Sequence, residues 1–361
     1  MYNPKAHLKR LVEVHAPSGY EAPVAELLRD EWRRLVDEFD SDRLGSLIGI
    51  KRGTASTEKT GPRRKIMLAA HMDEIALMVR QIEDGFLFVH RIAGIDPRVM
   101  LAQTVLVHGK RVLPGVVATM PPHMLSAADR KQYLPIDALV VDVGLPAAAV
   151  EELVSVGDLV TMEGPMIDLK GRQAAAKAMD DRSCIAVMTT CLEMLRQVNH
   201  SWDVYAAATV QEEVGLRGAT TAANHIQPDC AIALDVGFAE QPGVKPGGKL
   251  GGGPQLGIGA NFHPRMVQRL KDIAAYHDIK WQPDIMPART GTDAWAIQVS
   301  RGGVPTALLS LPLRNMHSPV ETLDLKDIER AGRLLAHFIT ALEEDFIDYL
   351  SLMPAANSDD A

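Results

Sequence analysis

Between about residue 75 and residue 168 the chain changes texture, and that change limits the folds open to it more than any other feature. Short β-like runs follow one another there: "IALMVRQI", "FLFVHRI", "TVLVHG", "GVVATM", "ALVVDVG" and "DLVTM". Gly, Pro and Asp turns separate them, and no long helical pattern intervenes. Six short strands at such spacing predict a small barrel or sandwich.

On either side the pattern is α/β. Asn3-Pro4 opens a helix running to about His15, with Asn as N-cap and Pro at the first helical position. "APSGYEAP" breaks it, and 22–35 reads as a second helix. "LIGIK" (47–51) and "KIMLAA" (65–70) read as strands around a polar loop, "RGTASTEKTGPRR", which predicts a mobile hairpin tip. After Asp180 the pattern predicts helices at 182–196, 216–225 and 263–277, and strands at 203–210, 230–235 and 304–310. A last helix, about 325–348, places Ile328, Ala331, Leu335, Phe338 and Leu342 on one face. The tail "PAANSDDA" reads as disordered. A β-rich module (76–168) is thus expected inside an α/β domain assembled from residues 1–75 and 169–361.

Charge and composition exclude several classes. A net charge of −8 argues against nucleic acid as the main partner, because a phosphate-binding face needs clustered positive charge. No apolar run approaches the roughly 20 residues of a membrane span. The start, "MYNPKAHLKR", lacks the apolar core of a signal peptide. Cys184, Cys191 and Cys230 are an odd number without metal spacing, which fits reduced, buried thiols. These features predict a cytoplasmic protein with no membrane partner.

The chemistry collects just past the ends of the α/β strands. "KIMLAA" runs into His71-Met72-Asp73-Glu74, "AAKAM" into Asp180-Asp181, "VYAAATVQ" into Glu212-Glu213, "CAIAL" into Asp235, and "TALLSLPLRNM" into His317. Ligands in open α/β sheets bind at the carboxyl ends of strands, so these groups are expected to share one crevice. That many carboxylates would repel one another unless cations sat among them. Imidazole and carboxylate donors suit zinc, cobalt or manganese, and the lack of cysteine argues for an open catalytic site. The adjacent glutamates then divide the work: Glu213 holds an ion, and Glu212 takes a proton from water that the metal has acidified. Each element also fits a plainer role. The glutamates fit a helix-capping turn, Asp180-Asp181 a helix N-cap, His71 a core histidine, and Asp235 and His317 ordinary turn or loop residues. Five plain roles, all at strand ends, are jointly improbable. The glycine-rich "GGKLGGGPQLGIG" (247–259) lacks the context of a nucleotide loop and fits a flexible rim.

In order along the chain, "PSGYE", "AHMDEIALMV", "GVVATMPPHML", "AKAMDDRSC", "QEEVGLRGA", "ALDVGFAEQPGVKP" and "MHSPVET" resemble the tetrahedral and glutamyl-aminopeptidase-like family of dinuclear metallo-aminopeptidases. The resemblance implies a mixed-sheet α/β metallopeptidase domain of the aminopeptidase/carboxypeptidase type, with 76–168 as an inserted β-barrel used in oligomerisation. It implies two divalent ions, zinc or cobalt with manganese also suited. Asp180 would bridge them, with His71 and Asp235 on one ion and Glu213 and His317 on the other. Glu212 would be the general base and Asp73 would orient His71. It further implies a non-proline cis peptide between Asp180 and Asp181, short peptide substrates, and self-association from dimer to tetrahedral dodecamer. Asn315 departs from the family by standing where an aromatic is frequent. A related carboxypeptidase or deacylase, an endoglucanase-type glycosidase and a non-catalytic scaffold are the alternatives, although the glycosidase leaves His71 and His317 without work.

Overall fold

The first turn of the chain forms as its sequence requires. The Asn3 side chain accepts from the backbone N–H groups of Lys5 and Ala6 and caps the helix Pro4–Glu13. The computed structural model describes residues 2–55, 62–128 and 131–352. A second helix, Ala22–Trp32, leads to strands β1 (Glu38–Ser41), β2 (Leu47–Lys51) and β3 (Lys65–His71). β3 ends at His71, and there the chain leaves the main sheet.

It enters a barrel made of β4 (Ala76–Glu83), β5 (Phe86–Ile92), β6 (Thr104–His108), β7 (Val112–Ala118), β8 (Val140–Asp142) and β9 (Leu159–Met162). These close in the order β4-β5-β8-β7-β6-β9. The six runs read from the sequence are these six strands. Alternate residues of β7 point inward, so Leu113 and Val117 are buried while Val112 and Val116 are exposed. Leu77, Val89, Val107, Val141 and Val160 help fill the interior.

The chain then returns through β10 (Ile167–Asp168) and β11 (Gln173–Ala176) to the helix Met179–Leu195. Next come β12 (Asp203–Thr209), helix Arg217–Ile226, β13 (Cys230–Phe238), β14 (Gln255–Ile258), helix Pro264–Tyr276, β15 (Gln282–Ile285), helix Asp293–Gln298, β16 (Thr306–Leu313), β17 (Glu321–Asp324) and helix Leu325–Thr340. The main sheet has the order β1-β2-β12-β3-β13-β16-β14-β15. Its middle strands, β12, β3, β13 and β16, are parallel. Helices cover both faces, and β12 and β16 are buried along their whole length, as central parallel strands must be. Helices Met179–Leu195 and Leu325–Thr340 pack together on one face, while Arg217–Ile226 and Asp293–Gln298 cover the other.

Several expectations need correcting. β2 and β3 are not a hairpin, because β12 lies between them and pairs with both. Residues 56–61, the middle of the predicted mobile tip, lie outside the described residues, as does the tail "PAANSDDA". The last helix stops at Thr340 and resumes as a short helix, Phe346–Leu350, which lets Leu342 and Phe346 both reach the core. β14 was hidden inside the glycine-rich run.

Candidate metal centre

Both passages between the sheet and the barrel lie beside one crevice. The chain departs at His71 and comes back just before Asp180, and parallel pairing sets Thr209 beside His71. The His71 ring points Nδ1 at the carbonyl oxygen of Asp73 (3.2 Å) and Nε2 at Oδ1 of Asp180 (3.1 Å). His317 has the same arrangement. Its Nδ1 donates to the carbonyl of Gly94 (2.7 Å), while Nε2 lies 3.4 Å from Asp180 Oδ2 and 3.4 Å from Glu213 Oε1. In each ring a carbonyl holds the far nitrogen, which fixes the tautomer and leaves Nε2 free to bind.

The five residues expected to bind metal come together as two triads sharing one member. His71, Asp180 and Asp235 can bring donor atoms within 4.8 Å of one another, and so can Asp180, Glu213 and His317; His71, Glu212 and Glu213 form a third group that meets the same distance. Glu212 is buried next to them, its Oε2 3.8 Å from His71 Nε2. The Asp180–Asp181 peptide bond is cis. Non-glycine residues around the crevice hold positive φ, among them Ala178 (54°), Gln211 (55°), Leu216 (56°) and His317 (59°). Strained backbone of this kind concentrates at functional sites. Asn315 also has positive φ (57°), a conformation asparagine tolerates better than an aromatic does.

Asp73 does more than face His71. Its carboxylate lies 3.4 Å from His71 Nδ1, and it accepts from the Ser18 hydroxyl (2.6 Å) and from the backbone N–H groups of Glu212 (3.0 Å) and Glu213 (3.2 Å). One buried aspartate therefore aims both glutamates. Burial opposes its charge, but the His71 ring, Ser18 and the Glu212 N–H outweigh burial and hold the carboxyl below its ordinary range.

The structure adds residues that the sequence reading gave no role. Glu321, fully buried, accepts from the backbone N–H of His317 (2.7 Å) and of Asp180 (3.1 Å), tying together two of the triad members. It is the glutamate of "MHSPVET", so the signal was in view. Asp293 accepts from the Thr209 hydroxyl (2.6 Å), and its other oxygen has no partner among the described residues. Burial lifts its carboxyl to about 6. Glu74 binds Lys177 Nζ (2.7 Å) and Arg182 Nη2 (3.2 Å), clamping the segment before Ser18 beneath the crevice. Gly94 belongs to the loop after β5, so the barrel itself positions His317.

The crevice carries too much negative charge to be comfortable empty. Burial, reinforced by Asp180, pushes the Asp235 carboxyl well above its usual range and lifts Glu213 to about 7. Burial also raises Glu212, with His71 opposing. Burial works against the charge of Asp180 as well, yet the two histidines hold its carboxyl down. Divalent cations would offset this repulsion, and the donor set of carboxylate oxygens and imidazole nitrogens fits them. The crevice opens into a cleft of about 730 Å³ that continues past Gly237 to Asp284 and Met316. Pro246, Gly247 and Gln255, from the glycine-rich segment, form part of its wall.

Such a crevice at the carboxyl edge of such a sheet places the chain among the α/β metallohydrolases. Comparison narrows the class. Residues 45–334 match the family described as M42 glutamyl aminopeptidase, and the chain belongs to that family of metal-dependent peptide hydrolases. The chain is 37% identical over 351 residues to a lysyl aminopeptidase of Pyrococcus furiosus, with 93% of this chain and 96% of the relative covered. Its structure resembles a TET aminopeptidase from a marine sediment thaumarchaeote (TM-score 0.90, 32% identity, 96% and 99% covered). It also resembles the TET1 peptidase of Pyrococcus horikoshii (TM-score 0.82, 31% identity, 94% and 100% covered), which can assemble into a tetrahedron or a large octahedral shell. Peptide hydrolysis of the aminopeptidase type is thereby established as the chain's activity, and the glycosidase alternative is not favoured.

Proposed function

We propose that the crevice holds two divalent cations and removes single N-terminal residues from short peptides. The observation that carries the reading is the pair of triads joined at Asp180, with the buried Glu212 beside them, within donor distance of His71 and Glu213. Asp180 would be shared by both ions, with His71 and Asp235 holding one and Glu213 and His317 the other. Zinc or cobalt suits these donors, and manganese is also compatible. When bound, the ions supply Lewis acidity at the scissile carbonyl and lower the pKa of water to about 7.

The chain's own residues do the rest. Glu212 is buried and faces the cleft; with the ions held by the two triads that share Asp180, its carboxylate is left to take a proton and later return it to the leaving amine. Asp73 holds the backbone from which Glu212 and Glu213 project, and it steadies His71. Glu321 keeps His317 and Asp180 in register. The barrel, residues 76–168, serves two ends: it supplies the Gly94 carbonyl to the site, and its exposed β7 residues Val112 and Val116 offer an apolar face for self-association. Assembly from dimers toward a tetrahedral dodecamer follows by likeness to the Pyrococcus horikoshii peptidase. Among the described residues no helix is long and apolar enough to cross a membrane, and a cytoplasmic location is part of the same reading.

The test is hydrolysis of aminoacyl-p-nitroanilides by wild type and Glu212→Gln, each stripped with chelator and refilled with zinc or cobalt. Wild-type activity should return with metal. The variant should bind metal as well as wild type yet lose about 100-fold or more in kcat. A variant as active as wild type would remove Glu212 from proton transfer.

A further inference from the structure

The cleft does not end at the metal crevice. Gly237 lies two residues beyond Asp235 on β13, so both face the same side of the sheet. A Cβ built on Gly237 would lie 2.7 Å from Gln255 Oε1 and 3.2 Å from Asp284 Oδ2. The glycine thus leaves open the one space into which both oxygens project. Gln255 is only 2% exposed, and its Oε1 has no partner among the described residues. No hydrogen bond or ion pair holds the Asp284 carboxylate among the described residues, and burial alone raises its carboxyl above the usual range. Two acceptors, one buried and one partly buried, face this space with no donor among the described residues, and leaving them unpaired is unfavourable. Among the described residues Arg289 is the one lysine or arginine in the cleft wall, and it stacks over the Trp295 ring (5.5 Å) instead of pairing with Asp284.

We propose that this end of the cleft is a subsite for a cationic side chain, lysine or arginine, on the first residue of the peptide, with Asp284 as its counter-charge and Gln255 Oε1 as a further acceptor. The inference rests on the aminopeptidase reading above. A peptide whose amino terminus lies at the metal crevice sends its first side chain over Gly237 toward these oxygens. Phe238, Ile285 and Met316 line the way, giving the aliphatic stem apolar surface to cover while its charged end reaches Asp284. A leucine side chain would leave both oxygens dry and unpaired, and a glutamate would add like charge beside Asp284.

The experiment measures kcat/KM of the metal-loaded enzyme on lysyl-, arginyl-, leucyl-, alanyl- and glutamyl-p-nitroanilide, for wild type, Asp284→Asn and Asp284→Lys. Wild type should favour the lysyl and arginyl substrates over leucyl by about tenfold or more. Asp284→Asn should lose that preference, chiefly through a higher KM for the lysyl and arginyl substrates. Asp284→Lys should move the preference toward glutamyl. A wild type that cleaves leucyl or glutamyl substrate ahead of lysyl overturns the inference alone, as does an Asp284→Asn enzyme with unchanged ratios. Absence of hydrolysis across the whole panel overturns the aminopeptidase reading and this inference with it.

Discussion

Replacing Glu74 by Gln should cost the protein a large part of its stability, because one carboxylate serves two buried cations. Glu74 and Lys177 are each 1% exposed and Arg182 is fully buried. Burial pulls the Lys177 ammonium down to about 8, and Glu74 pulls most strongly the other way, with Glu321 adding to it. Arg182 keeps carbonyl acceptors at Leu11, Val14, Ala16 and Met72 in the variant, whereas among the described residues Lys177 keeps only Val14. Removing one partner of a buried pair costs about 3–5 kcal/mol. An unfolding entropy of about 2.1 cal/mol/K per residue, over 361 residues, gives about 0.76 kcal/mol/K, so Tm should fall by about 4–7 °C. Calorimetry on metal-loaded protein at one fixed concentration reads this directly. The double variant Glu74→Gln/Lys177→Met should recover part of the loss, since it no longer buries an unpaired ammonium. A Tm change within about 1 °C for the single variant, or a double variant worse than the single, would refute the reasoning.

Two further outcomes follow from the geometry. A Cβ at Gly94 would lie 2.9 Å from His317 Nδ1 and displace the ring, so Gly94→Ala should weaken one of two bound ions by about 10–100-fold in a calorimetric titration; unchanged affinity for both would detach the barrel from the site. Asp203, at the start of β12, is opposed by burial, but the Gly53 N–H together with Arg63 and Arg52 hold its carboxyl below the ordinary range. A depressed folded pKa contributes stability above the unfolded value near 3.9 and loses it as pH falls through the folded value. Asp203→Asn should therefore cost about 1–3 kcal/mol at pH 7 and progressively less in acid, and a urea-unfolding difference that stays constant down to pH 3 would contradict this.

How far the sequence foretold the molecule depends on how local each signal was. The barrel was legible because alternation along β7 and its neighbours is a two-residue pattern that needs no knowledge of the rest. The crevice was legible because the acidic and imidazole groups stand at or soon after the carboxyl halves of apolar strands: His71 closes β3, Asp235 lies late in β13, and Glu212 and His317 come within four residues of the ends of β12 and β16. Strand order was not, since the insertion of β12 between β2 and β3 depends on contacts over 130 residues apart in the register Ala207 to Ile48 and Ala207 to Ala69. β14 escaped because glycine gives no β signal, and at Gly237 the missing side chain itself makes the space over the strand. The work of Glu321 and Gly94 escaped for a related reason: they act through backbone atoms, their own or their partner's, and a backbone contact leaves no residue pattern behind.

The central claim is that Asp180 joins two ions in one chain, and counting metal tests it most directly. Purified wild type, refilled with zinc and freed of excess, should hold two ions per chain by elemental mass spectrometry, Asp180→Asn close to none, and His317→Ala one. A wild type with one ion per chain, or an Asp180→Asn variant that keeps two, would contradict the account.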